Sequence, residues 1–182
     1  MSAQKATPTA APYVPSPGRC TAEPMRPGDM GRIVATPDAT APAAPAKPIG
    51  VLPKGTPADP QIAIAVAELI DQYVACFNRN DLGRVLALYS DAAIRRLDAM
   101  GDALLLNFLA DRASPTPFPA ERWTGIIDVR DVRIFPDGRA GATLSLHYPG
   151  IPVPKHFFMT FVAVDGRWLI DDVLGEISFS VP

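Results

Sequence analysis

Between Ala113 and Trp123 the spacing of apolar residues along the chain changes. On the N-terminal side, in "DPQIAIAVAELIDQYVACFN" and "LGRVLALYSDA", apolar side chains return every three or four residues. On the C-terminal side, in "RWTGIIDVRDVRIF" and "KHFFMTFVAV", they return every second residue. A helical period lays one apolar stripe along a cylinder, and a period of two lays one apolar face along a strand. A chain that is helical first and extended afterwards folds as α+β, with helices packed on one face of a curved antiparallel sheet.

The helical half has a sharp start. Asp59 is a good N-cap and Pro60 suits the first turn, where its missing N–H costs nothing. Ile62, Val66, Leu69, Tyr73 and Phe77 then make one buried stripe. "NRND" ends this helix, and Asp81 caps a second, "LGRVLALYSDA", with Val85, Leu88 and Tyr89 inward. "AAIRRLDAMGDALLLNFLADR" continues as a third helix, interrupted near Gly101, with Ile94, Leu97, Leu104 and Phe108 facing the core. The proline-rich "ASPTPFPAE" connects it to the strands.

About four strands follow, as two hairpins. Pro136-Asp137-Gly138 turns the first and Asp165-Gly166 the second. In the first strand Ile127 and Val129 share one parity, Val132 and Ile134 the other. A bulge near Arg130-Asp131 puts all four on one face.

Residues 1–59 differ in kind. Stretches such as "ATPDATAPAAPAKP" hold too little apolar surface to offset their ordering entropy, so they read as a disordered Pro/Ala/Thr-rich tail. Only residues 19–34, "RCTAEPMRPGDMGRIV", are varied enough to dock on the domain, which spans 60–182. The net charge is −2 and no basic stripe appears, which argues against nucleic acid as a partner. No apolar run is long enough to span a bilayer, and "MSAQKATPTA" has no apolar signal core. Either the chain is cytoplasmic or it is extracytoplasmic and its signal has been removed; the tail, of a kind that spaces domains from a membrane or wall, leans to the second.

Cys20 and Cys76 lack the spacing of a zinc site, and no cofactor motif occurs. Two readings stand: a pair of free thiols, or a Cys20–Cys76 disulfide pinning the tail to the domain in an oxidising compartment.

The order of elements, with Tyr73-Val74-Ala75, Asn78, Asp81-Leu82, Ala87-Leu88-Tyr89, Asp91 and Ala93 in its helix-turn-helix and "GRWLIDD" near its end, resembles the nuclear transport factor 2-like superfamily, including SnoaL-like proteins and ketosteroid isomerases. The resemblance runs from about Pro60 to Ser178 and implies a cone-shaped α+β domain. That fold hosts isomerases, cyclases, dehydratases, binding modules and transport factors, so it does not by itself fix an activity. On the isomerase pattern Tyr73 falls on the tyrosine that steadies an oxyanion and Asp98 on the proton-shuttling aspartate. The position of the protonated acid falls near Met159, which cannot donate a hydrogen bond.

A pocket between sheet and helices is then expected from Tyr73, Phe77, Tyr89, Phe108, Trp123, Met159, Trp168 and Asp172. The first functional reading is a non-catalytic module on a flexible tail, binding a small apolar molecule or a protein partner, with a homodimer through the sheet. The second is an isomerase, dehydratase or cyclase in which Tyr73 polarises a carbonyl and Asp98, or Asp172, moves a proton.

Two further clusters read more plainly. His147 and His156 become cross-strand neighbours if their hairpin closes symmetrically, on a solvated face with Thr143, Ser145 and Thr160, which are poor metal ligands. "DVRDVR" reads as a solvated edge with cross-strand ion pairs. Asp171 and Asp172 alternate along the last strand unless a bulge intervenes. Asp172 then shares the inner face with Trp168, Ile170 and Leu174, and the twin acids cannot serve one reacting atom.

Overall fold

The computed structural model describes residues 11–36, 54–101 and 115–176. Four helices are present among them: α1 (Pro27–Ala35), α2 (Pro60–Asn78), α3 (Leu82–Leu86) and α4 (Asp91–Ala99). Five strands, β1 (Thr56–Pro57), β2 (Gly125–Ile134), β3 (Ala140–His147), β4 (Lys155–Val164) and β5 (Arg167–Glu176), form one open antiparallel sheet in that order. The architecture is α+β. The fifth strand is the short β1, which pairs Thr56 with Ile134 and Pro57 with Arg133 at the edge of β2.

Helix α2 begins where its cap chemistry places it. The Asp59 carboxylate accepts from the Gln61 amide at 2.8 Å and Pro60 opens the helix. Its buried face is broader than the expected stripe. Val66 and Leu69 are buried, Ile62, Tyr73 and Phe77 are partly so, and Ile70, Val74 and Cys76 are covered as well. The cause is a second layer. Residues 11–36, of which the sequence marks only 19–34 as able to dock, lie against α2 and the sheet.

That segment is held by backbone pairing of Tyr13 with Ile126, at 2.8 and 2.7 Å, and by the Cys20–Cys76 disulfide. The Arg19 guanidinium meets Asp71 at 2.9 Å, and Met30 of α1 is buried in the main core. Asn78 joins the two layers: its side-chain amide donates to Pro15 and Thr124 carbonyls at 3.0 Å each and accepts from the Thr124 amide at 2.8 Å. A fully buried amide is tolerable only with its bonding capacity filled, as it is here.

The expected second helix is shorter than its pattern. Asp81 caps α3, but the helix stops after Leu86, Ala87-Leu88 form a turn, and the chain leaves it through Tyr89 into an extended Ser90. Ile170 of β5 draws this stretch out: its N–H donates to Leu88 O and its carbonyl accepts from Ser90 N, both at 2.8 Å. Ser90 then caps α4 by accepting from the Ala93 amide at 3.0 Å. Helix α4 ends before Gly101, whose φ of 64° suits glycine. Leu104, Phe108 and Ile177 lie outside the described residues.

Both hairpins turn at the expected glycines, and Asp165-Gly166 adopts positive φ at both positions (50° and 77°). The bulge in β2 is present, with Asp131 at φ 55° between the Arg130–Thr143 and Arg133–Gly141 pairs. A second break in register lies between Ile126 and Asp128. It turns Ile126 into the core with Val129, Val132 and Ile134, in place of Ile127. Two ion pairs of "DVRDVR" run along the strand, Arg130–Asp128 and Arg133–Asp131.

The main core gathers Val66, Ile70, Val74, Leu86, Ile94, Leu144, Met159, Phe161 and Ile170 between α2, α4 and the inner face of the sheet. The opposite face is not the solvated surface its Thr and Ser content suggests. Thr143, Ser145 and Thr160 are buried there beside Phe135 and Phe158, whose ring centroids are 6.3 Å apart. Both rings close over Gly141. A Cβ at this residue falls 2.5 Å from Phe135 Cζ and 2.6 Å from Phe158 Cζ, so only glycine fits. His156 stands opposite Ser145, not His147, and its Nδ1 is 2.8 Å from Ser145 Oγ.

Candidate ligand cavity

The inner end of β5 carries the feature that shapes the site. Strict alternation fails between Ile170 and Asp172, because Phe161 pairs with Ile170 and Thr160 with Asp172, leaving Asp171 as an extra residue. The shift brings Val173, not Leu174, to the core side with Trp168 and Ile170. It also lets both acids line one cavity.

Asp171 is the buried member, and its carboxylate is fully engaged. Oδ1 accepts from Ser90 Oγ and Arg96 Nη2, each at 3.1 Å, and Oδ2 accepts from Arg139 Nη1 at 3.1 Å. Arg96 Nη2 also donates to the Asp171 carbonyl. Burial alone lowers the Arg139 pKa, but hydrogen bonds to Asp137 and Asp171 reverse this and leave it above its ordinary value. The same Arg139 contact holds the Asp137 carboxyl below the usual range. Asp171 therefore ties the start of α4, the β2–β3 turn and β5 together. Asp172 is freer. Oδ1 accepts from the Val173 amide at 2.8 Å, and among the described residues Oδ2 has no hydrogen-bond partner.

The cavity, of about 400 Å³, lies between α2, α4 and β5. Tyr73 and Tyr89 form one wall, edge to face with centroids 6.2 Å apart. Leu97, Met100, Phe157 and Val173 supply apolar surface, and Arg96, Asp171 and Asp172 a polar side. Met100 is two-thirds exposed (66%), so the opening is at the end of α4. Nearby, burial pushes the Tyr148 phenol up to about 12, with Tyr73 adding to the rise, so Tyr148 stays protonated at physiological pH.

The expected pocket set divides. Tyr73, Tyr89 and Asp172 meet in this cavity. Asp98 is exposed on α4 and lines no wall of it, although Arg96, Leu97 and Met100 do. Met159 is buried in the core, and Phe77 packs on Phe118 at 6.1 Å. Trp123 is spent structurally, its indole donating to Phe118 O at 2.7 Å. Trp168 belongs to a separate groove between α2, the N-terminal segment and the β4–β5 turn.

Arg96, Phe157 and Asp171 were not legible as site residues. Arg96 is the one with a local signal, since it sits one turn before Met100 on the face shared with Ala93. No group of three potential metal ligands occurs among the described residues, and none of their helices is long and apolar enough to cross a membrane. No protein-family model, curated protein or solved structure matches the chain.

Proposed function

We propose that the protein is a non-catalytic ligand-binding module of the nuclear transport factor 2-like cone fold, taking a small, largely apolar molecule between α2, α4 and β5. The observation that carries the reading is the composition of the cavity. Its size is at the small end of the range for ligand pockets, about 300–1,000 Å³, and most of its wall is ring and aliphatic surface with a few polar groups at one side. The buried acid in it is already saturated by Ser90, Arg96 and Arg139, which makes Asp171 a support of the wall rather than a proton carrier. The buried Cys20–Cys76 bond supports an oxidising, extracytoplasmic setting.

A second reading rests on Tyr73 and Asp172 sharing this cavity. In it a phenol polarises a carbonyl and the free Asp172 oxygen moves a proton, as an isomerase, dehydratase or cyclase requires. Asp98, on the exposed side of α4, has no part in it.

Native mass spectrometry of protein from its source tests the first reading. The full-length chain is expected to carry a small-molecule mass that Ala93→Phe, which puts a ring into the cavity from the α4 wall, abolishes while the chain still unfolds cooperatively. Protein with no adduct, and no stabilisation by any member of a metabolite panel, overturns the proposal. A turnover in the same panel that Tyr73→Phe or Asp172→Asn abolishes without unfolding the chain replaces it with the catalytic reading.

A further inference from the structure

A second site lies away from the cavity and does not depend on it. A groove of about 550 Å³ opens between the N-terminal segment at Thr21–Glu23, the middle of α2 and the β4–β5 turn. Its near wall is built by the disulfide-anchored segment. The Thr21 amide donates to Gln72 Oε1 at 2.9 Å, and Gln72 Nε2 donates to Arg19 O at 2.7 Å. Leu69, Leu88 and Trp168 make its floor.

Three properties set this groove apart. Trp168 Nε1 has no acceptor among the described residues, whereas the indole of Trp123 is bonded; a half-buried indole N–H ordinarily finds a partner. One of the large apolar residues most exposed to solvent flanks it. Ile64, 60% exposed, lies one turn before Glu68 on the same face of α2. The charge is one-sided: Glu23 and Glu68 line the groove, Asp165 stands at the turn, and none makes an ion pair among the described residues, against the single cation Arg167.

We infer that this groove is a docking surface for a basic amphipathic segment of a partner protein. Aliphatic side chains of that segment cover Ile64 and Trp168, and its lysines or arginines meet Glu23, Glu68 and Asp165. An open groove with an exposed apolar residue beyond its α2 wall suits an extended or helical peptide better than an enclosed small molecule. Acidic residues around an apolar floor supply both orientation and preference for basic partners.

The test is selection of short random peptides displayed on phage against the full-length oxidised protein. Recovered sequences are expected to be rich in Lys and Arg with interspersed aliphatic residues. A synthetic peptide of the enriched sequence should shift the indole N–H resonance of Trp168 and leave that of Trp123 in place. Ile64→Asp and Glu68→Lys, both on the exposed face of α2, should each weaken it about tenfold. Added salt should weaken it further. Failure to enrich any peptide, enrichment of acidic or neutral ones, or binding unchanged in both variants overturns the proposal. A concentration-dependent shift of Trp168 in the protein alone also overturns it, by making the groove a contact between two copies of this chain.

Discussion

Ser90 Oγ lies 3.1 Å from Asp171 Oδ1 while accepting a hydrogen bond from the Ala93 amide, so one hydroxyl caps α4 and fixes the bulge of β5. The start of the helix and the break in the strand are thereby one feature. The walls of the cavity, Arg96 and Leu97 from α4 and Asp172 and Val173 from β5, are held in mutual position by it.

The first prediction separates the twin acids. Asp171→Ala leaves Arg96 without its buried partner and removes a contact of Arg139, and breaking such a pair costs about 3 kcal/mol or more. Asp172→Ala removes one bond to the adjacent amide and is expected to cost under about 1 kcal/mol. Urea unfolding of the two variants measures the difference, and equal losses would refute this division of roles.

The second concerns the bond that holds the N-terminal segment. Cys20 and Cys76 enclose a loop with a sequence separation of 56, for which chain entropy gives about 4 kcal/mol of stabilisation. The paired Cys20→Ala, Cys76→Ala variant should unfold at correspondingly lower urea and become sensitive to proteolysis between residues 11 and 36. Both cysteines are buried, at 4% and 0% exposure, so thiol reductant should act on the native chain only at the rate of its opening. Intact mass with and without reductant under denaturing conditions checks that the bond is present.

These two cases show where sequence reading reaches and where it ends. The start of α2 was legible because Asp59 and Pro60 act on amides within a turn of themselves. The β4–β5 hairpin was legible because Asp165-Gly166 alone supplies the backbone angles it needs. Of the docked residues 11–36, only 19–34 were legible, as a weak exception within the tail. The Cys20–Cys76 bond was legible as one of two readings, but the other anchors include backbone pairs and carbonyl contacts with Ile126, Asn78 and Gly83, which no side-chain pattern records. The bulge at Asp171 was out of reach for a related reason. Its partners Ser90, Arg96 and Arg139 come from three separate parts of the chain, and alternation within β5 gives no sign of them. Tyr73, Tyr89 and Asp172 belong to the pocket expected between sheet and helices from the family resemblance, whereas Trp168, assigned to the same pocket, opens on another surface.

The third prediction uses the far face of the sheet. Gly141→Ala forces a methyl group against two buried phenylalanine rings, and overpacking of this kind costs about 1–3 kcal/mol. Gly141→Ala combined with Phe135→Leu should recover part of the loss, since the nearest clash is with Phe135 Cζ. Thermal unfolding of the single and double variants reads this directly. A double variant less stable than either single one would refute the steric account.

The last prediction follows from Tyr148, beyond the end of β3. Burial raises its phenol from 10.0 to about 12, and Tyr73 nearby adds to the effect. The folded state thus prefers the neutral phenol more strongly than the unfolded chain does. Below pH 10 both states are protonated and the contribution is complete. Between about 10 and about 12 the unfolded chain ionises while the folded one does not, so stability falls as pH rises through that window. Tyr148→Phe has no phenol to ionise and should lose less stability over the same range than the unaltered chain. Melting temperatures of the two proteins, measured in parallel from pH 9 to pH 12 in steps of about half a unit, isolate this contribution from that of the other tyrosines and lysines. Parallel curves for the two would show that Tyr148 titrates in the folded protein as it does in the unfolded chain.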